Sequence, residues 1–339
     1  MVWAKEACIL YNKNVYDGGV TLLVYLQEVI DYLNENMHDP VPRYLLRKEI
    51  IHNPSNKAEY DELKKSKWYQ QLAAEQGENG SWGRFHTQDT KLPIKQKFIT
   101  TESALRRARE LALDKSDAII DKAIRLMERY ILEQEEWLDT NEHHYGFQIS
   151  FRALVAANLS LFDPKHPLVQ KKKEICACNL SQAFRNGCID EKVWEDENRK
   201  SNEILLKPYM VYIIWLLQEN DFLDEALQRA YLEFIWNRKE GIYYRTNRPL
   251  SELEYLESKN FLTWLSGLEE ISDFSLFSEF MSMGTTNHLL NEIHRLMEQD
   301  VKLPSAAPIF GHYCETWSKK NMRRNDLILR ILRLLIKCN

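Results

Sequence analysis

Apolar residues recur along most of the chain at the three- and four-residue spacing of α-helices. The segment DKSDAIIDKAIRLMERYIL places Ile120, Ile124 and Met127 on one face, and Ser116 or Asp117 is expected to cap its start. No segment alternates between apolar and polar residues as a half-buried strand does. The pattern therefore predicts an all-α protein of roughly a dozen helices.

The predicted helices are of two kinds. QISFRALVAANLSLF and YMVYIIWLLQ are apolar nearly all round, whereas AIIDKAIRLMERYILEQEE and DEALQRAYLEFIWNRKE carry a charged face. A helix that is apolar on every side is buried on several sides, and an amphipathic helix is half exposed. Alternation of the two kinds predicts an inner layer of helices sheathed by an outer one. The run KKKE at 171–174 is expected to be an exposed helix face.

Three glycines follow helix ends and precede aromatic residues, which indicates a repeat. Gly80, Gly187 and Gly241 are separated by about two and about one repeat lengths of roughly 50 residues. Gln134 and Trp137 stand where the missing repeat is expected, without a glycine. A period of this length containing two helices predicts stacked helical hairpins.

The stretch EQGENGSWGRFH (75–86) concentrates three glycines around one tryptophan. Gly77 or Gly80 is expected to adopt the left-handed backbone conformation that ends a helix near Glu75. Trp82 is then expected to pack over the helix end, with its indole N–H available to a partner. The sequence therefore predicts a structural turn built on Gln76, Gly80 and Trp82.

QGENGSW (76–82) resembles the QW motif of the squalene cyclase and protein prenyltransferase superfamily. The resemblance implies an α/α toroid, with inner and outer rings of helices formed by helical-hairpin repeats. It is expected to extend over residues 15–339 as a single domain, after a lead-in at 1–14. The family's chemistry does not carry over: no Asp-x-Asp-Asp string occurs, and the spacing of Cys188 with Asp190, and of His312 with Cys314, matches no zinc motif of the family. We expect no metal and no cofactor.

Composition excludes several classes of partner and location. The net charge is −5 and acids and bases are interspersed, so no basic field for nucleic acid is expected. No apolar stretch is long enough to span a membrane, and the N-terminus lacks the pattern of a signal peptide. Six cysteines in 339 residues are not a disulfide framework. A cytoplasmic protein fits these features best.

Candidate chemistry lies in the loops that enter the predicted inner helices. A histidine beside carboxylates in a half-dry cavity can act as general acid and base, which makes His86, Asp89 and Glu102 the predicted catalytic residues. They are expected to line the mouth of the largest internal pocket. Polar and aromatic residues of the other loops are predicted to bind a small-molecule ligand in a central cavity: His144, Tyr145, Trp194, Asp196, Tyr243, Tyr244, Arg245, His312 and Trp317.

Three functions remain open at this point. The first is a terpene-cyclase-like or prenyltransferase-like protein acting on or binding an isoprenoid or another small apolar ligand. The second is a carbohydrate-active toroid, either a glycoside hydrolase or a polysaccharide lyase, and the third is a non-catalytic helical scaffold. An enclosed apolar cavity favours the first, an open cleft with paired carboxylates the second, and a filled centre the third.

The C-terminal segment KKNMRRNDLILRILRLLIKCN is basic and amphipathic. Such a helix can lie on an anionic membrane surface. It can equally close the ring of helices by packing against residues 19–35, which is the arrangement that we expect.

Overall fold

The computed structural model describes residues 22–52, 57–88, 96–137, 139, 145–219, 222–298, 301–304 and 311–338. Within them the chain forms fifteen α-helices and one π-helical turn, and it has no β-strand beyond a single isolated bridge. The helices are α1 (Leu22–Asn36), α2 (Pro40–Leu45, continued by the π-helical turn Leu46–Ile50), α3 (Lys57–Lys64), α4 (Lys67–Glu75), α5 (Thr101–Glu110), α6 (Ala118–Ile131), α7 (Tyr145–Ser160), α8 (Pro167–Ala183), α9 (Glu191–Ser201), α10 (Val211–Leu217), α11 (Glu225–Asn237), α12 (Phe261–Ile271), α13 (Phe277–Phe280), α14 (Met283–Met297) and α15 (Lys320–Lys337). The predicted all-α class is confirmed.

The two kinds of helix differ in burial as their sequences predict. All seven residues of α10 are buried, and α7 is buried continuously from Ala153 to Ser160. On the amphipathic α6, by contrast, Lys122 and Arg125 are exposed while the opposite face is buried. Asp117 occupies the N-cap position of α6, although its side chain makes no capping hydrogen bond to the helix.

The apolar helices pack on one another in chain order. Helix α7 contacts α10, α10 contacts α12, and α12 contacts α15. Helices α6 and α8 cover α7, and α14 covers α15. Helix α15 also packs against α1, so the last described helix lies beside the first, as expected.

Two glycines of the predicted repeat stand where no other residue fits. Gly80 has φ +95°, and a Cβ there would lie 2.4 Å from the carbonyl oxygen of Lys122. Gly241 has φ +66°, and a Cβ there would lie 2.0 Å from the Thr246 hydroxyl oxygen. Both positions combine a left-handed backbone with a close approach, which only glycine tolerates without strain.

Basic side chains that were expected at the surface are largely buried. Lys172 and Lys173 of α8 are buried, which corrects the prediction of an exposed face for the 171–174 run. Each has a carboxylate partner, Glu203 and Glu219 respectively, so the charge is paired inside the protein. On α15, Arg330 is buried as well and forms hydrogen bonds with both carboxylate oxygens of Glu269 at 2.8 and 2.6 Å.

Two buried carboxylates hold the segment that precedes α15. Asp326 of α15 accepts hydrogen bonds from the backbone N–H groups of Tyr313 and Cys314, at 2.6 and 2.8 Å. Asp39, which caps α2, accepts one from Glu315 at 2.8 Å. Burial raises the pKa of Asp326 to about 7 and that of Asp39 to about 6, against the opposing effect of these hydrogen bonds.

We predict that the free energy of unfolding falls as pH rises from 3.8 to about 7. Both carboxyls hold their protons more tightly in the folded state, so their favourable contribution is complete below pH 3.8 and is lost as pH rises through about 6 and about 7. The slope expected for one such group is up to about 1.4 kcal/mol per pH unit. Urea unfolding at pH 5 and pH 8 measures it. Asp326→Asn should flatten the dependence, whereas Asp121→Asn, at an exposed ion pair, should not. An identical slope in both variants would contradict the assignment.

Candidate functional site

The candidate site is built around His86 and Glu102, which the structure brings together. The backbone N–H groups of Thr101 and Glu102 donate to the carbonyl oxygens of Arg84 and Phe85, at 2.8 and 2.9 Å. This pairing lays the end of the Gly-Trp turn along the start of α5. His86 Nδ1 then lies 2.7 Å from Glu102 Oε2.

A carboxylate that the sequence analysis missed fixes the backbone around His86. Asp139 is buried and accepts hydrogen bonds from the backbone N–H groups of Phe85 (3.3 Å), His86 (3.2 Å) and Thr87. Three N–H groups converging on one carboxylate hold a turn rigidly. The side chain of His86 therefore projects from a fixed backbone toward Glu102.

Tyr212 supplies the second partner of Glu102. It lies in the first turn of α10 and donates its hydroxyl hydrogen to Glu102 Oε1. Burial, together with the neighbouring Glu102 carboxylate, raises the pKa of Tyr212 well above its ordinary value, so the phenol stays a neutral donor. Glu102 itself lies in the first turn of α5, where the helix dipole favours a carboxylate.

An aromatic surface borders His86. The ring centroids of Phe147, Tyr212 and Tyr244 each lie 6.4 Å from the centroid of the His86 imidazole. Tyr243 packs edge-on against Tyr244 at 4.3 Å. Tyr243 and Tyr244 are 47% and 53% exposed, so both reach solvent beside the His86 and Glu102 side chains.

The backbone at Tyr244 is strained. Its φ is +71°, a left-handed conformation that is a genuine outlier for a bulky residue. The neighbouring residues over-determine this position: the Tyr243 N–H donates to the Tyr209 carbonyl at 3.0 Å, and Arg245 Nε donates to Glu270 at 2.6 Å. Strain that is retained beside a polar cluster points to a functional role for the residue that carries it.

Behind the aromatic surface, a buried ionic cluster joins α5, α10 and α12. Glu270 accepts hydrogen bonds from Arg245, from Arg109 at 3.0 Å and from the Trp215 indole N–H at 2.6 Å. Burial raises the pKa of Glu270, but the charges of Arg245 and Arg109 outweigh it and hold the pKa at about 2. Glu270 is therefore a permanent anion between two guanidinium groups.

The other predicted ligand-binding residues lie elsewhere. Trp194 and Asp196 lie within helix α9, which corrects the prediction that they belong to a loop. Trp194 is buried and donates its indole N–H to the Leu206 carbonyl at 2.8 Å, whereas Asp196 is exposed. His312 packs between Trp68 and Trp317, with centroid distances of 5.3 and 5.1 Å. No ring contact or hydrogen bond in the described part of the chain joins Trp194, Asp196 or Trp317 to the cluster around His86.

Three predicted residues cannot be placed in the site. Asp89 and His144 lie outside the described residues. Tyr145 is the first residue of α7, and its side chain also lies outside the part of the chain that the structure describes.

A pocket of about 610 Å³ is lined by none of the predicted catalytic or ligand-binding residues. It opens at the C-terminal ends of α7, α10 and α12, whereas Glu102 and Tyr212 lie in the first turns of α5 and α10.

The structural turn ties three helices together. The Gln76 side-chain amide donates to the carbonyl oxygens of Ile119 (2.8 Å) and Gly80 (3.1 Å). The buried Trp82 donates its indole N–H to the Leu72 carbonyl at 2.8 Å and its backbone N–H to Thr101 Oγ1 at 2.9 Å. The turn thereby links α4, α5 and α6, and it leads directly into His86.

Comparison of the chain with protein-family models, with curated proteins and with solved structures finds no match. In the part of the chain that the structure describes, no three His, Cys, Asp or Glu side chains are arranged to hold a metal ion. No helix there is both long and apolar enough to cross a membrane. The case for function therefore rests on the geometry around His86.

Proposed function

We propose that the chain is an α/α toroid and that the cluster of His86, Glu102, Tyr212 and Tyr244 is its acid–base site. In this proposal α5, α7, α10, α12 and α15 are the inner helices, and α4, α6, α8, α11 and α14 are the outer ones. The ordered contacts of the apolar helices, and the contact of α15 with α1, support it. His86 and Glu102 then lie at the rim where the inner helices begin.

The observation that carries the proposal is the hydrogen bond between His86 and Glu102 beneath the strained, exposed Tyr244. Glu102 orients the imidazole through Nδ1, and in this proposal the imidazole exchanges a proton with the substrate. The neutral Tyr212 hydroxyl holds the second carboxylate oxygen, which keeps Glu102 in one orientation. The arrangement is that of a base positioned by a third group.

We propose a carbohydrate as the substrate class. The flat, half-exposed rings of Tyr243 and Tyr244 offer a surface on which the C–H face of a sugar can stack while its hydroxyl groups remain hydrated. Asp139 is committed to three backbone N–H groups, which leaves Glu102 as the carboxylate beside His86 among the described residues. A glycoside hydrolase needs two opposed carboxylates, which a single Glu102 beside a histidine does not supply. A histidine base is better suited to the proton abstraction that a polysaccharide lyase performs.

The isoprenoid hypothesis has less support from this geometry. It needs an enclosed apolar cavity at the centre of the helices. In the described residues, Glu270, Arg109 and Arg245 occupy the space where α5, α10 and α12 meet. A non-catalytic scaffold is also expected to have a filled centre. Loss of turnover in His86→Gln is therefore the measurement that distinguishes an enzyme from a scaffold.

We predict that Tyr244→Ala weakens oligosaccharide binding about tenfold, because it removes the stacking surface. A panel of neutral and uronate-containing oligosaccharides, tested by glycan array and then by calorimetry, measures the affinity. Tyr255→Ala is the matched control, since Tyr255 is equally exposed (55%) but contacts His288 rather than His86.

His86→Gln should leave oligosaccharide binding within about threefold of the wild type. It should reduce the turnover of the oligosaccharide that the wild type cleaves by at least about 100-fold.

Three outcomes would contradict these proposals. If oligosaccharide binding is lost equally in Tyr244→Ala and Tyr255→Ala, the binding surface is not at Tyr244. If the wild type binds no oligosaccharide but does bind farnesyl diphosphate, the carbohydrate proposal is wrong. Turnover that persists in His86→Gln would remove the acid–base role.

A further inference from the structure

A pocket of about 610 Å³ opens where several helices end, separate from the cluster around His86. We name it the helix-end pocket. Ser160 at the end of α7, Gln218 directly after α10, Ser272 directly after α12 and Lys337 at the end of α15 all line it. Its volume is in the range of pockets that bind small molecules.

Lys173 brings unused hydrogen-bond donors to this pocket. Its side chain is only 1% exposed, and Glu219 is its one hydrogen-bond acceptor among the described residues. An ammonium group carries three N–H donors, and a buried donor without an acceptor is costly. Two donors of Lys173 are therefore available to an acceptor in the pocket.

Arg109 and Lys337 reach the same pocket from α5 and α15. Arg109 donates to Glu270 through one nitrogen, which leaves most of its five N–H donors without an acceptor in the described residues. Lys337 donates to Asp273 and to the Ser272 hydroxyl. Three cations from three helices thus meet at one cavity, and two of them have donors to spare.

The remaining wall suits an organic molecule with polar groups. Trp215 and Phe274 contribute apolar surface, and the side-chain carbonyl oxygen of Gln218 is buried without a hydrogen-bond partner in the described structure. Lys173 and Gln170 both donate to Glu219 Oε2, and Lys337 donates to Asp273 Oδ1. The wall carries three cations, Arg109, Lys173 and Lys337, against the two carboxylates, so its charge is positive and complements a ligand with oxyanion groups.

We infer that the helix-end pocket binds a small organic anion, through a phosphate or carboxylate group held by Lys173, Arg109 and Lys337. The oxyanion would take up the spare N–H donors in charge-assisted hydrogen bonds. The organic part would lie against Trp215 and Phe274. This site is distinct from the proposed acid–base site, because none of its lining residues belongs to the cluster around His86.

Calorimetric titration tests the inference, with inorganic phosphate and malonate as separate probes. The ionic strength is kept constant with sodium chloride, and comparison of the two probes distinguishes phosphate binding from carboxylate binding. We expect saturable binding of at least one of them. Gln218→Glu, which is nearly isosteric and adds a negative charge to the pocket wall, should weaken that binding about tenfold. Lys337→Gln should do the same by removing a cation.

Lys200→Gln is the matched control, because Lys200 forms an exposed ion pair with Glu197 outside the pocket. It should leave the affinity unchanged. Thermal unfolding of each variant without ligand verifies that it folds. The absence of saturable binding of both probes, or equal affinity in the wild type, Gln218→Glu and Lys337→Gln, would overturn the inference. Either result leaves the oligosaccharide measurements at Tyr244 unaffected.

Discussion

Replacing Glu270 with alanine is expected to lower the free energy of unfolding by about 3–5 kcal/mol. The substitution leaves Arg109 and Arg245 without their shared anion, and the Arg245 side chain is only 6% exposed. It also removes the acceptor of the Trp215 indole N–H. Breaking a buried pair by removing one partner is costly because the remaining charge is desolvated and unpaired.

Urea unfolding at pH 7 measures this loss, with Glu279→Ala as the control. Glu279 pairs with Arg229 at the surface, so its removal should cost much less than the removal of Glu270. The pKa of Glu270 is lowered from 4.5 to about 2, so its stabilisation is complete above pH 4.5 and is lost as pH falls toward 2. Equal losses in the two variants at pH 7 would show that the ionic cluster does not hold the three helices together.

Trp82→Ala is expected to cost about 3–5 kcal/mol, the usual effect of truncating a fully buried aromatic side chain. Trp82 is completely buried and its indole N–H satisfies the Leu72 carbonyl near the end of α4. The substitution therefore opens a cavity and leaves a buried carbonyl without a partner. Because the turn leads into His86, we also expect weaker oligosaccharide binding in this variant.

Trp82→Phe separates the two contributions. It keeps most of the buried area and removes only the hydrogen bond, so a loss of about 1–2 kcal/mol is expected. Tyr243→Ala, at a half-exposed ring, should change stability by less than about 1 kcal/mol. If Trp82→Ala costs no more than Tyr243→Ala, the turn does not have the structural role that its contacts indicate.

Much of the fold follows from local sequence. The all-round apolar pattern of α7 and α10 predicts burial, and the stripe on α6 predicts a half-exposed helix, because helical periodicity is a property of a few consecutive turns. The left-handed Gly80 is likewise a local requirement. Short helices such as α13 (Phe277–Phe280) were not separately predicted, since four residues span barely one turn and carry no periodic pattern.

The candidate site could be predicted only in part. His86 and Glu102 were expected to act together because a turn and a helix cap anchor the loop between them. Tyr212 was hidden in an apolar helix, where one tyrosine reads as a core residue. Asp139 carried no signal of its own, since a single acid in a predicted loop resembles any solvated loop charge. A hydroxyl group within an otherwise apolar helix is the one sequence feature that could have pointed to Tyr212.

The sequence by itself determined most of the longer helices, the buried faces of the apolar ones and the Gly-Trp turn, because each depends on residues close together in the chain. Only the tertiary structure decided which charges meet. Tyr212 lies 110 residues from Glu102, and Asp139 lies 53 residues from His86. The buried positions of Lys172 and Lys173 also depend on distant carboxylates. A charge is tolerated inside a protein only where its partner is supplied, and helical periodicity carries no information about a partner on another helix.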